Sequence, residues 1–140
     1  MGKIILIASG KGGTGKTTAA ANISAAISAA DKLTLVVDMD IGLRNLDIAF
    51  GLESAVVYDI CDVIEERCTL DEALIKDGRH DNLYILSAPQ TRGASDFERG
   101  SFRHYGRDLK TALTIASSTR PPERTEALST RLKGWIRRLS

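Results

Sequence analysis

Lys3 to Ser9 (KIILIAS) is an unbroken run of β-branched and apolar residues closed by Gly10, the pattern of a central strand in a parallel sheet covered on both faces. Thr17 to Ala30 (TTAAANISAAISAA) turns to small helix formers, with Ile23 and Ile27 four apart, and predicts a helix whose small residues allow close packing on the sheet. Leu33 to Asp38 (LTLVVD) reads as a second buried strand, and strand, helix, strand implies a right-handed crossover in a parallel sheet. Tyr58 to Glu66 and Leu70 to Lys76 carry helical spacing, and Leu83 to Leu86 (LYIL) reads as a third strand. The expected fold is α/β, a three-layer parallel sheet with helices on both faces.

Beyond Arg92 the pattern fades. Asp96 to Leu113 reads as a polar helix, no strong strand follows, and Pro121-Pro122 breaks any helix there. The charge changes with the pattern. Met1 to Phe97 holds 9 basic and 14 acidic residues, whereas Glu98 to Ser140 holds 10 and 4. The chain therefore divides into residues 1–97, which carry the strand and helix pattern, and residues 98–140, an atypical basic tail. At 140 residues it is short for an α/β domain of this kind, and a truncated sheet is expected.

Composition narrows the class. With 43% hydrophobic and 26% charged residues, the chain is an ordinary globular one, neither disordered nor collagen-like. Ile4 to Ala8 is far shorter than the ~20 apolar residues of a membrane span, and no cleavage site follows, so no secretion signal is expected. Cys61 and Cys68 lack metal-ligand or CxxC spacing and read as reduced thiols of a cytoplasmic protein. His80, His104 and Trp135 have no partner at catalytic or ligand spacing and read as loop, surface and tail packing.

The chemistry concentrates after the first strand. Gly10-Lys11-Gly12-Gly13-Thr14-Gly15-Lys16-Thr17 fits G-x-x-x-x-G-K-[ST] between a predicted strand and a predicted helix. Glycines let the backbone curl its N–H groups toward phosphate oxygens, and the helix starting near Lys16 adds the positive end of its dipole. Lys16 is expected on the β- and γ-phosphates of ATP, Thr17 on Mg²⁺, and Thr18 near the α-phosphate. Asp38 and Asp40 follow the second strand, at the carboxyl edge where open α/β sheets bind ligands.

The additional lysine in KGGTGKTT, Lys11, resembles the deviant Walker A loop of the ParA/MinD family. The strings DIGLRNLD, VVYDICDVIEE, DEALIK and NLYILSAPQTR place residues 1–97 nearer its MinD branch than ParA or the nitrogenase iron protein. That resemblance implies a homodimer closed by ATP, with Lys11 reaching across to the partner's phosphates, Asp38 in the outer shell of Mg²⁺ and Asp40 positioning the attacking water. Lys11, Lys16 and Asp40 are then the catalytic set. It implies an ATPase switch on the inner face of the cell membrane, a division-inhibitor partner and an ATPase-activating partner, and a task in placing the division septum. A fragment that binds nucleotide without turnover is one alternative. A ParA-like DNA-segregation ATPase, binding DNA without sequence specificity, is another; no specific nucleic acid is expected.

A relative of that branch carries a hydrophobic strand ending in Asp-Ala/Ser-Pro-Ala-Gly after the Thr-Arg pair, and none is visible here. Read one base early, the codons of Ser117 to Glu123 permit Ile-Ile-Asp-Ala-Pro-Ala-Gly. The expectation is an out-of-frame tail, with the change between Phe97 and Ser101. The tail also carries Leu132, Trp135, Ile136 and Leu139 on one helical face, with Arg131, Lys133, Arg137 and Arg138 largely elsewhere and Gly134 interrupting. That pattern suits a basic amphipathic segment on an anionic membrane surface.

Overall fold

The computed structural model describes residues 3–9, 11–40, 45–89 and 110–117, together with Gly134. Strand β1 (Lys3–Ser9) leads through a glycine loop into helix α1 (Lys16–Ala29), followed by β2 (Leu33–Asp38) and α2 (Asn45–Phe50). A 3₁₀ turn at Glu53–Ala55, helices α3 (Ile60–Ile64) and α4 (Leu70–Ala73), and strands β3 (Ile75–Lys76), β4 (Leu83–Leu86) and β5 (Lys110–Ser117) complete the described chain.

Strand β2 is buried along its whole length, and its alternating side chains build two cores. Leu33, Leu35 and Val37 pack with Ile60, Cys61, Leu70 and Ala73 of α3 and α4. Val36, with Leu83 and Ile85 of β4, packs with Ala20 of α1 and Leu46 and Phe50 of α2. Period-two alternation under helices on both faces produces the three expected layers. Helix α1 buries Ala20, Ser24 and Ser28, four apart, against the sheet, and Ser24 Oγ satisfies itself by donating to the Ala20 carbonyl at 2.7 Å. Neither Cys61 nor Cys68 forms a disulfide.

The strand order is β1-β5-β2-β4-β3. Strands β2 and β4 are parallel, but β5 runs antiparallel to both β1 and β2, and β3 runs antiparallel to β4. The α/β three-layer fold stands, and its all-parallel sheet is corrected to a mixed one. The expectation of no strand after β4 fails because Lys110–Ser117 (KTALTIAS) carries the β-branched Thr111, Thr114 and Ile115 and finds a slot with a free edge on each side, supplied by β1 and β2. This strand also replaces the last residues of the helix expected over 96–113, whose earlier residues lie outside the described ones. The helix expected over 70–76 stops at Ala73, because Ile75 and Lys76 pair with Ile85 and Tyr84 instead. The amphipathic pattern at Leu132, Trp135, Ile136 and Leu139, like His104, lies outside the described residues.

Candidate functional site

The loop between β1 and α1 is shaped by two glycines in the left-handed region, Gly13 at φ 72° and Gly15 at φ 84°. Other residues adopt that conformation only with strain. Gly15 is the N-cap of α1 and brings no side chain to its first turn. The first intrahelical bond runs from the Ala19 amide to the Gly15 carbonyl at 2.8 Å. The amides of Lys16, Thr17 and Thr18 precede it and take no side-chain cap among the described residues, an arrangement suited to an anion. A Cβ built on Gly12, Gly13 or Gly15 meets nothing within 4 Å, so the space inside the curl is open.

The Lys11 carbonyl ties the loop together. It accepts from Lys16 Nζ at 3.1 Å, Thr14 Oγ1 at 3.4 Å and Ser9 Oγ at 3.3 Å, while the Lys11 amide donates to Ser9 Oγ at 3.2 Å. Lys16 is thus held across the loop it is expected to serve, and its ammonium rests on a neutral carbonyl that a phosphate oxygen outcompetes. The Lys11 side chain is exposed.

A cavity of about 320 Å³ opens here, lined by Gly12 through Thr18, Asp40 and Asn45. The sequence-expected residues Gly12, Gly13, Thr14, Gly15, Lys16, Thr17, Thr18 and Asp40 are therefore brought together. Lys11 stands outside the lining, and Gly10 lies outside the described residues. Asp38 is buried beneath, 2% exposed. Its Oδ1 accepts from the Asp40 amide at 2.9 Å and its Oδ2 from the Leu46 amide at 3.2 Å. Burial raises its pKa from 3.8 to about 6, against the lowering effect of those two amide bonds; the Asp40 and Asp47 charges add smaller upward pushes.

Asn45 was missed by motif reasoning. It is the first residue of α2, and the signal for it was the polar Arg44-Asn45 step after Leu43, just before the apolar Leu46. His80, read as loop packing with no partner at catalytic or ligand spacing, lies in the turn between β3 and β4, where its Nδ1 meets Asp77 Oδ2 at 2.5 Å.

The donor set fits a triphosphate with a hard cation. Among the described residues no group of three or more His, Cys, Asp or Glu side chains is placed to hold a metal ion. A cation here would draw its ligands from phosphate oxygens, the Thr17 hydroxyl and water, with Asp38 close behind, which is how Mg²⁺ is usually bound at such sites.

A strand, a left-handed glycine turn and an uncapped helix N-terminus around this cavity define a P-loop nucleotide-binding domain. The chain belongs to the CobQ/CobB/MinD/ParA nucleotide binding domain family, whose model matches residues 5–137. Among curated relatives it is 50% identical over 110 residues to the septum site-determining protein MinD of Escherichia coli K12, covering 79% of this chain and 41% of that one. It is 45% identical over 111 residues to the MinD protein of Bacillus subtilis 168, again over 79% of this chain and 41% of the relative. The chain thus spans about two fifths of the length of these relatives.

Solved structures agree. The MinC:MinD cell division protein complex of Aquifex aeolicus matches with a TM-score of 0.54 at 46% identity, over 65% of this chain and 37% of that chain. The MinD protein of Pyrococcus horikoshii OT3 complexed with Mg-ADP matches with a TM-score of 0.56 at 32% identity, over 68% and 38%. No helix among the described residues is long and apolar enough to cross a membrane.

Proposed function

We propose that the chain binds ATP with Mg²⁺ in the α1 loop and acts as a MinD-type ATPase switch. The observation that carries this reading is the open loop cavity, with Lys16 tethered across it and the amides of α1 uncapped at its floor. Lys16 contacts the β- and γ-phosphates, Thr17 ligates Mg²⁺, Thr18 meets the α-phosphate, and Gly10 to Gly15 supply the amide curl. Asp38 orients the hydration shell of the metal, and Asp40, on the cavity wall, holds the attacking water. Lys11, exposed beside the loop, is free to reach the phosphates of a second copy in an ATP-closed homodimer. The MinC:MinD complex among the similar structures supports a division-inhibitor partner. An activating partner, association with the inner membrane surface and a task in septum placement follow the MinD relatives.

Calorimetry with Mg·ATP tests the core of this. The parent takes up nucleotide and Lys16→Ala loses it by at least tenfold, the scale of one charge-assisted contact of about 1.5–3 kcal/mol. Absence of uptake by the folded parent removes the reading. Vesicle pelleting with ATP against ADP tests the membrane step, and equal pelleting counts against it.

A second reading, a fragment that binds nucleotide but turns it over weakly, is favoured by β5. Its antiparallel course sets Lys110 opposite Ser9 and Ala112 opposite Asp38, so the strand between β1 and β2 brings no carboxylate to the phosphate edge. We read residues 98–140 as the out-of-frame continuation of the 1–97 nucleotide-binding unit. Sequencing the gene across Phe97 to Glu123 decides it, and phosphate release no faster in the parent than in Lys16→Ala marks the fragment.

A further inference from the structure

Helix α2 has six residues, too few to hold itself in water, so its position depends on what grips its ends. The N-terminal grip is the site itself, because the Leu46 amide donates to Asp38 Oδ2 at 3.2 Å and Asn45 lines the cavity. The C-terminal grip lies on the turn between β3 and β4. There Arg79 Nη2 donates to the Phe50 carbonyl at 3.2 Å, and its guanidinium carbon stands 5.9 Å from the centroid of the Phe50 ring. One side chain satisfies a terminal carbonyl, complements the negative end of the helix and covers an aromatic face.

Arg79 is itself fixed. Its Nε lies 3.5 Å from Asp77 Oδ1, and Asp77 is 1% exposed while Arg79 is 61% exposed. The buried carboxylate also holds His80 Nδ1 at 2.5 Å, and the Asp77 amide donates to the Leu83 carbonyl at 3.0 Å. The turn is thereby anchored to β4, a strand of the central sheet, and the guanidinium projects from that base onto the C-terminal end of a short helix.

We propose that Arg79 is a positioning residue for the phosphate site: by clamping the C-terminus of α2 it keeps Asn45 and the Leu46 amide in register with Asp38. The consequence for ligand binding rests on the nucleotide reading above; the coupling along α2 does not. Loss of the guanidinium releases Phe50, lets α2 shift, and leaves Asp38 with one of its two amide donors weakened.

Amide hydrogen exchange on the ligand-free chain reads this directly. In Arg79→Ala, exchange at Leu46 accelerates roughly tenfold, the factor for one lost hydrogen bond, while Asp40 and the β2 amides keep the parent rate. Arg79→Lys restores part of the protection through its charge. Lys76→Ala, which breaks the exposed Lys76–Asp81 pair on the same turn, leaves Leu46 and Asp40 as in the parent. Unchanged exchange at Leu46 in folded Arg79→Ala overturns the proposal, and so does uniform acceleration through β2, which would make Arg79 a general stabiliser. Calorimetry with ATP supplies the ligand arm: Arg79→Ala raises the Mg²⁺ needed for half-maximal binding several-fold and leaves metal-free nucleotide binding unchanged, whereas equal loss in both overturns it. A parent that binds no nucleotide removes the phosphate-site reading, and the exchange rates still decide the coupling.

Discussion

Burial dominates the behaviour of Asp38. Its carboxyl group sits 2% exposed under the cavity with a pKa near 6, well above its ordinary 3.8. The native state therefore holds this proton more tightly than the unfolded chain does. Its contribution to stability is complete below the unfolded value and is lost as pH rises through 6. For the nucleotide-free protein, the unfolding free energy contributed by Asp38 should fall by about 1 kcal/mol between pH 5 and pH 7. Asp38→Asn, which imitates the protonated form, should remove that slope, as chemical denaturation at the two pH values will show. A slope identical in parent and variant would assign the proton elsewhere. If Asp38 serves Mg²⁺ as proposed, the carboxylate ionised at neutral pH is held at a cost in the free protein that a bound cation would offset.

Among the elements, the shortest depend most on their caps. Helix α3 has five residues and α4 has four. Asp59 accepts from the amides of Cys61 at 2.7 Å and Asp62 at 3.2 Å, and Asp62 Oδ2 accepts from the Asp59 amide at 3.0 Å. Thr69 and Glu72 repeat the arrangement, with Glu72 Oε2 accepting from both the Thr69 amide and its hydroxyl at 2.8 Å. Those bonds to Thr69 keep the Glu72 carboxyl below its ordinary pKa. Both helices cover the Leu33, Leu35 and Val37 face of the sheet. Asp59→Ala should cost about 1 kcal/mol, measured by urea unfolding, with the loss concentrated on that face.

The same scale explains what could be read beforehand. Strands β1, β2 and β4 and helix α1 were legible as elements because apolar runs and a motif with fixed mechanics define them, but the covered central place expected of β1 was not: among the described strands it pairs with β5 alone and is largely exposed. The site was legible where the loop chemistry is local, in Gly12 to Thr18 and Asp40. Helix α2, and Asn45 with it, was not, because six residues carry too little periodicity and its place is set by Asp38 at one end and Arg79, 29 residues past Phe50, at the other. Strand β3 was hidden for a similar reason: two residues become a strand only because Tyr84 and Ile85 lie opposite. The reversed direction of β5 reflects a gap between two other strands, which no local pattern encodes.

Over the whole molecule the burial is uneven. β2 is enclosed by helices on both faces and by a strand on each side, whereas among the described residues β1 ends the sheet, with Ile4 46% and Leu6 58% exposed. An unpaired edge beside exposed apolar side chains is a template for association. Leu6→Thr introduces a polar, β-branched side chain that a strand favours and should raise the monomeric fraction at high protein concentration, with a stability loss of under about 1 kcal/mol for so exposed a residue. Light scattering across a dilution series checks this, and an unaltered size distribution would place any association elsewhere. Inside a cell the same margin decides lifetime. Chaperones and proteases survey chains for bare greasy borders, and this one would be held or degraded according to how long β1 stays uncovered, before occupancy of the phosphate loop has any influence.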